Sequence, residues 1–441
     1  MFSKYSPARI LTIVFLGCIF LGTLLLYLPI SQNRNLGVVS LLDCLFTATS
    51  AVCVTGLAVN TMSESFTYFG QFVILILIQL GGLGYMTLAT LGAILFGRIP
   101  LNEKLVFNEP AHEVTLSYEG FGKFLVRAFK LILLIEAAGL LILLVFFLKY
   151  FSFGESFYHA LFHSISGFCN AGFSSLPNGL VDFNDNYGLL SGVIFVSVCG
   201  CMGYVVLIEA VNYRKIKKLT LHSKMVILGL AIFYIIPAGL IFLSEFGNPE
   251  TIGNMSLTGK IFNSIFPATV GKVAGFDTFP TGNFNNFTLF LMIFIMFVGG
   301  APGGTAGGVK VTTFMVIFST LWSTLKGRRD VNFFGRRIEY DIIKKSFTVI
   351  FAALLWISFA TILMLSFEKF KFIDILFECV SAFNIVGLST GITTKLGSLS
   401  KLIIIISMFL GRLGPLTIGV AVLKSYHVGK IRYPCEKVLV G

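Results

Sequence analysis

Four glycines recur in one local setting along this chain of 441 residues. The segments read LLDCLFTATSAVCVTGL, YHALFHSISGFCNAGF, TGKIFNSIFPATVGKVAGF and DILFECVSAFNIVGL. Each opens with a helical pattern carrying Phe, then turns through Ser, Thr or Asn. Each ends in Gly followed by a large apolar residue: Gly56–Leu57, Gly172–Phe173, Gly275–Phe276 and Gly387–Leu388. The glycines lie 116, 103 and 112 residues apart. Glycine adopts backbone conformations that let successive carbonyls point to one side without a Cβ clash. Carbonyl oxygens grouped in this way replace the hydration shell of a monovalent cation. The chemistry open to these segments is therefore ion coordination by main chain. One such glycine alone is better explained by close helix packing. Four at equivalent places, each after a polar half-span, favour a fourfold carbonyl cage.

A second segment, FVGGAPGGTAGGVKVTT at 297–313, holds six glycines and Pro302 between residues 299 and 308. Pro costs ~3 kcal/mol and Gly ~1 kcal/mol in a helix interior, so no continuous helix survives here. A broken helix at membrane depth is tolerated only around a cavity or inside protein. The segment is not a nucleotide loop, since it lacks the G-x-x-x-x-G-K-[ST] order and follows no strand. Arg412, in FLGRLGPLT, lies between the apolar runs Leu402 to Ile406 and Leu416 to Val422. An arginine at that depth costs ~2.5–3.5 kcal/mol and faces a cavity or a partner. Other chemistries are poorly served. His159 and His163 share a helix face, but HALFH lacks the Glu of a zinc-protease helix; packing or a vestibule position fits better than metal. The eight cysteines show no paired CxxC spacing and read as packing residues. No Ser-His-Asp or paired-carboxylate arrangement emerges. Glu209, beside Arg214, reads as interfacial, and Glu136 stays open between a packing carboxyl and a coupling site.

Elements able to hold such residues must lie in a membrane. Hydrophobic residues make up 56% of the chain and charged residues 12%, against roughly 25% charged in soluble domains. A cytosolic globule, a disordered chain and a disulfide-stapled secreted domain are excluded. So is a nucleic-acid binder, despite the net charge of +12, because the basic residues sit in short runs between apolar stretches. Stretches of ~20 apolar residues cross a bilayer. They fall at 10–30, 71–96, 125–148, 188–211, 225–246, 287–300 continuing to 322, 347–367 and 401–423, which predicts eight spans. The first follows Lys4 and Arg9 and no A-x-A-like site closes it, so it is expected to be a span and not a cleaved leader. Four polar segments, 40–58, 155–173, 257–277 and 372–391, are too short to cross and are expected to re-enter.

The unit is thus helix, pore segment, helix (M1–P–M2), and two crossings per unit give all four the same orientation. The expected fold is an all-α integral membrane protein of four parallel repeats around a central pseudo-fourfold pore. The repeats run 1–100, 101–215, 216–335 (with the broken M2 helix) and 336–441 (with a short tail). Gly82, Gly203, Gly300 and Gly411 follow the first four glycines by 24 to 31 residues, each inside the next span. Asp43, Glu155 and Asp374 suit the positive N-terminal ends of three pore helices; Lys260 in the third does not. Lys and Arg number 23 on the side of the termini and inter-repeat loops, against 8 on the other. That places both termini in the cytoplasm. The charge of the basic runs 213–224 and 326–337 is explained by this topology alone, and contact with anionic lipid or a regulatory subunit stays open.

The VCVTGL, FCNAGF, KVAGF and NIVGL segments resemble, in order, the pore loops of the TrkH/TrkG/KtrB/HKT superfamily of potassium transporters. The resemblance runs from about residue 10 to about 425. It implies a potassium filter at Val54, Thr55 and Gly56; Asn170, Ala171 and Gly172; Val273, Ala274 and Gly275; and Ile385, Val386 and Gly387. Val273 stands where many members have Thr, which a carbonyl ligand tolerates. Lys272 matches a basic residue common there and is expected behind the filter. The family's gate loop corresponds to Gly299, Gly300, Ala301, Pro302, Gly303, Gly304, Thr305, Ala306, Gly307, Gly308 and Lys310, with Arg412 as its contact. A first helix pair near residue 10 favours the KtrB branch over TrkH, whose members carry two extra N-terminal helices. That branch implies a homodimer in the bacterial inner membrane, resting on a cytoplasmic KtrA-type RCK ring. Nucleotide (ATP or ADP) is then expected on the ring and no cofactor on this chain. Sodium coupling, symport and channel-like flux stay open, as does a TrkH-type or sodium-permeable member of the same architecture. An integral-membrane enzyme would need a convergent set of ionisable groups that the scattered acids and histidines do not supply. A solute symporter of inverted repeats conflicts with parallel ones.

Overall fold

The computed structural model describes residues 7–33, 37–95 and 118–414. The expected boundary at 100/101, the end of the last span and the tail lie outside the described residues. The chain order is α1 (Pro7–Tyr27), α2 (Leu41–Cys53), α3 (Met62–Ser65), α4 (Tyr68–Leu95), α5 (Tyr118–Phe147), α6 (Phe153–Cys169), α7 (Tyr187–Met202), α8 (Tyr204–Val211) and α9 (Tyr213–Ile216). Then come α10 (Leu221–Glu245), α11 (Leu257–Phe266), α12 (Asn286–Phe297), α13 (Val311–Leu325), α14 (Tyr340–Phe367), α15 (Phe372–Asn384) and α16 (Ser398–Leu413). A two-residue hairpin, β1 (Asn332–Phe333) and β2 (Arg336–Arg337), joins α13 to α14.

The helices are apolar outward as well as inward. Ile235 is 72% exposed, Leu243 73% and Phe351 65%, a surface that water would not tolerate and lipid does. Among the described residues, Val126–Phe147, Leu221–Glu245 and Tyr340–Phe367 are each long and apolar enough to cross a bilayer. The α7–α8 pair passes the same test together but is bent by 105°. The span expected at 188–211 is thus broken into two helices that meet at Gly203, whose φ is +78°.

The short helices α2, α6, α11 and α15 each pack between two longer ones. The first three carry their own start signals in the sequence. Ser40 Oγ accepts from the Asp43 N–H, Ser152 and Glu155 form a capping box, and Ser256 Oγ accepts from the Gly259 N–H. Lys260, which disobeys the charge rule, reaches back to the Phe246 carbonyl at 2.8 Å and sits over the Phe246 ring. Three of the four end in a left-handed residue: Val54 (φ +62°), Asn170 (+58°) and Ile385 (+59°). The third differs. Pro267 lacks an amide hydrogen, and α11 gives way there to a wider π turn, Pro267–Gly271.

Contacts between successive units run in one direction. Helix α4 packs on α6, α7 on the π turn after α11, α12 on α15, and α16 back on α2. The last contact closes the chain into a ring. A partly buried ion pair, Lys401 to Asp43 at 2.6 Å, ties the same seam.

Candidate functional site

At the inner end of each short helix the chain turns back through one of the four glycines. All four have positive φ: Gly56 +93°, Gly172 +69°, Gly275 +66° and Gly387 +94°. Each abuts the carbonyl oxygen that precedes the next glycine around the ring. A Cβ added at Gly56 would sit 2.4 Å from Ala171 O, and one at Gly172 2.5 Å from Ala274 O. At Gly275 it would meet Val386 O at 2.2 Å, and at Gly387 it would meet Thr55 O at 2.1 Å. The cycle visits each unit once and returns to its start. Four carbonyl oxygens, of Thr55, Ala171, Ala274 and Val386, are thereby interleaved with four glycines. Side chains cannot occupy this ring; main-chain oxygens can. The C-terminal ends of the short helices, which carry partial negative charge, converge on it. The arrangement favours a cation that has shed its water.

A second layer fixes the turns. Ser50 Oγ accepts from the Gly56 N–H and Ser381 Oγ from the Gly387 N–H, each at 3.1 Å, while Ser166 Oγ donates to Phe173 O at 2.8 Å. All three stand six residues before their glycine. Thr269 holds that place in the third unit but bonds back to Ile265 O at 2.8 Å. Sequence reading did not single out this Ser/Thr position, although its spacing is visible. Val273 lacks the left-handed conformation of Val54, Asn170 and Ile385, because the π turn delivers the chain by another route. Thr55 Oγ1 is buried and carries no hydrogen bond.

The glycine-rich loop lies against the inner ends of two opposite short helices. Its mouth is stitched by Gly299 N to Val309 O at 2.7 Å and Val311 N to Gly300 O at 3.0 Å. On one side Ala301 N donates to Cys201 O, Thr305 N to Gly200 O, and Thr305 Oγ1 to Phe168 O. Asn170 Nδ2 donates to Thr305 Oγ1 at 2.7 Å. On the other side a Cβ on Gly307 would strike the Ile385 side chain at 2.1 Å, and one on Gly308 would strike Asn384 Oδ1 at 2.4 Å. Pro302, Gly303 and Gly304 face the bend at Gly203, where an added Cβ would meet Pro302 O at 2.7 Å. The bend makes room for the loop. Ala306 is buried, and its carbonyl receives Lys310 Nζ at 2.5 Å. Arg412 donates to Thr305 O at 2.5 Å and to Gly81 O, joining the loop to α16 and α4. Lys272, fully buried behind the ring as expected, donates to Gly299 O at 3.2 Å.

The four glycines that follow the ring glycines in the second helices have unlike neighbours. Gly411 does meet its own short helix: a Cβ there would lie 1.7 Å from Phe383 O. In the first two units that contact belongs to Gly81, against Val52 O, and Gly200, against Phe168 O. Gly82 instead faces Cys169 of the neighbouring unit, Gly203 makes the bend, and Gly300 faces Cys201. Glu209 accepts from Thr220 N and Oγ1, so it caps α10. Glu136 accepts from Gln79 at 3.1 Å, a packing contact between α4 and α5. His163 and His159 bond Ser174 and Ser175, and no cluster of three metal-ligating side chains occurs among the described residues. The seven cysteines among the described residues are free.

A family described as "TrkH: Cation transport protein" matches residues 7–431. The chain belongs to the TrkH family of cation transport proteins. It is a transporter and not an enzyme. Among its TrkH-family relatives, Ktr system potassium uptake protein B of Bacillus subtilis is 36% identical over 440 residues, covering 99% of this chain and 97% of that protein. Potassium/sodium uptake protein NtpJ of Enterococcus hirae is 32% identical over 446 residues, covering 99% and 98%. The crystal structure of the potassium transporter TrkH from Vibrio parahaemolyticus superposes with a TM-score of 0.76 at 17% identity, over 96% of this chain and 86% of that one. That likeness establishes the all-helical membrane-transporter fold.

Proposed function

We propose that this chain takes up potassium through the ring of Gly56, Gly172, Gly275 and Gly387. The single observation that carries the reading is the closed cycle of glycine-to-carbonyl contacts. On this reading the chain is four parallel M1–P–M2 repeats, divided at 100, 215 and 335, that cross the bacterial inner membrane eight times with both termini in the cytoplasm. Val54, Thr55, Asn170, Ala171, Val273, Ala274, Ile385 and Val386 complete the filter. Cations reach it from an outer cavity of about 230 Å³ lined by Ala58, Ser174 and Thr394 among others. The loop 299–308, with Lys310 and Arg412, is the gate: it bridges the undersides of two opposite pore helices, and Arg412 both latches it and repels a cation there. The name of the Bacillus relative speaks of a Ktr system, which supports assembly with a further component. On this reading that component is a nucleotide-binding RCK-type ring beneath a homodimer of this chain. A second reading, sodium passing with or alongside potassium, is favoured by the Enterococcus relative's name.

The test is growth and rubidium influx in a potassium-uptake-deficient bacterium expressing this chain with its regulatory subunit. Restored growth at low potassium is expected. Influx equal to that of an empty membrane, with insertion and partner verified, would overturn the proposal.

A further inference from the structure

Two ionisable side chains occupy the same place on opposite sides of the ring. His163 stands nine residues before Gly172 and Glu378 nine before Gly387; both are fully buried. Each is linked to the serine two residues beyond its glycine, His163 directly and Glu378 through Thr393. His163 Nδ1 lies 2.8 Å from its own helix carbonyl, His159 O, which assigns the proton to that nitrogen and leaves Nε2 to accept from Ser174 Oγ at 2.9 Å. Glu378 Oε1 accepts from Thr393 Oγ1, which in turn lies 2.8 Å from Ser389 Oγ. The serines match one another as well. Ser174 Oγ accepts from Leu176 N at 3.1 Å, and Ser389 Oγ from Gly391 N at 3.0 Å. Packing alone does not call for a buried ionisable side chain linked to the matching serine in two units of unlike sequence. The residues two beyond the glycines, Ala58, Ser174, Asp277 and Ser389, are all half-buried, and Ala58 and Ser174 line the outer cavity.

We propose that His163 and Glu378 are positioning residues for an outer cation site just above the glycine ring, where a partly hydrated ion is held before it enters. They do not touch the ion. Each holds in place, from behind, the serine that shapes the site's wall: His163 by a direct hydrogen bond and Glu378 through Thr393. The inference rests on the reading of the ring as the ion's path.

The test is rubidium influx by the full chain with its partner, as a function of external cation. Ser174→Ala and Ser389→Ala remove the tether at its accessible end and leave the buried packing intact. Each is expected to raise the apparent KM by roughly three- to tenfold, the worth of one hydrogen bond, with the maximal rate within about twofold. Glu378→Leu should do the same, whereas Glu378→Gln, which keeps an acceptor oxygen, should restore the wild-type KM. His163→Phe should add nothing in a Ser174→Ala background. Unchanged KM in both serine variants, or Glu378→Gln as damaged as Glu378→Leu, would overturn the proposal. Gly387→Ala serves as the reference: if it raises KM while the serine variants do not, only this inference fails. If it too leaves KM unchanged, the reading of the ring has failed.

Discussion

Replacing each ring glycine by alanine, one at a time, sets four like perturbations against four different geometries. Two terms fix the damage. The first is contact: real Cβ atoms essentially never lie within 3.0 Å of a backbone oxygen, so Gly387→Ala must open a gap from 2.1 Å and Gly172→Ala only from 2.5 Å. The second is backbone strain. Gly172 at φ +69° and Gly275 at +66° lie in the left-handed region that L-residues visit at about 1–2 kcal/mol. Gly56 at +93° and Gly387 at +94° lie beyond it, where about 1–3 kcal/mol is the usual cost. The two terms rank the sites: Gly387 worst, Gly172 mildest, and Gly275 and Gly56 between, each severe in one term. Relief must come from moving a ring carbonyl, because the short helices behind it are closely packed. At about 1.4 kcal/mol per factor of ten, Gly387→Ala should raise the apparent KM for potassium by about 10- to 100-fold, and Gly172→Ala by less than about tenfold. Sodium should compete better in the same order. The assay is rubidium influx with sodium as competitor, on variants matched for insertion. Equal damage at all four sites, or Gly172→Ala as severe as Gly387→Ala, would refute the reasoning from contact and strain.

Three further outcomes follow from other contacts. Arg412→Ala removes both latches, to Thr305 O and Gly81 O; it should raise basal influx and reduce dependence on the regulatory subunit while selectivity changes little, and deletion within 303–308 should act alike. Wild-type basal influx in both variants would make the loop a structural kink. Gly411→Ala would drive a Cβ to 1.7 Å from Phe383 O, so despite alanine's better helix propensity it should cost about 3 kcal/mol or more, read as a lowered melting temperature in detergent. Lys401→Met leaves Asp43 without its ion pair where the last unit meets the first; at partial burial the loss should be about 1–3 kcal/mol, read in the same melt, and a change in ion selectivity instead would place the pair in the filter's support.

The glycine tetrad was legible because it is a repeated local signal: half-helix, a turn through Ser, Thr or Asn, glycine, large apolar residue. The Arg412 contact was legible for a different reason. A buried guanidinium needs acceptors, and a loop of six glycines exposes carbonyls that no helix uses. The bend at Gly203 was not legible. The flanking residues are apolar on both sides, and the cause is a tertiary contact with Pro302 that is about a hundred residues away in sequence. Adjacent glycines could not be told apart for a related reason: composition cannot say that Gly81, and not Gly82, faces its own short helix, because one residue turns the helix face by about 100°. The π turn had a sign in Pro267, whose missing amide hydrogen breaks the ladder, but the sequence could not say that the turn widens instead of ending. The tethers from His163 and Glu378 join residues 11 to 15 apart across a reversal of the chain, which no periodicity within the helix reveals.

The central claim is that the cation is held by the main chain at the four glycines. It is tested most directly by an experimental structure of the full chain in potassium, followed by exchange to rubidium or thallium for anomalous scattering. The account expects an ion on the axis of the ring, among the carbonyl oxygens of Thr55, Ala171, Ala274 and Val386, with the heavier ion in the same place. An ordered ion bound elsewhere in the chain, with the ring unoccupied at saturating potassium, would contradict it.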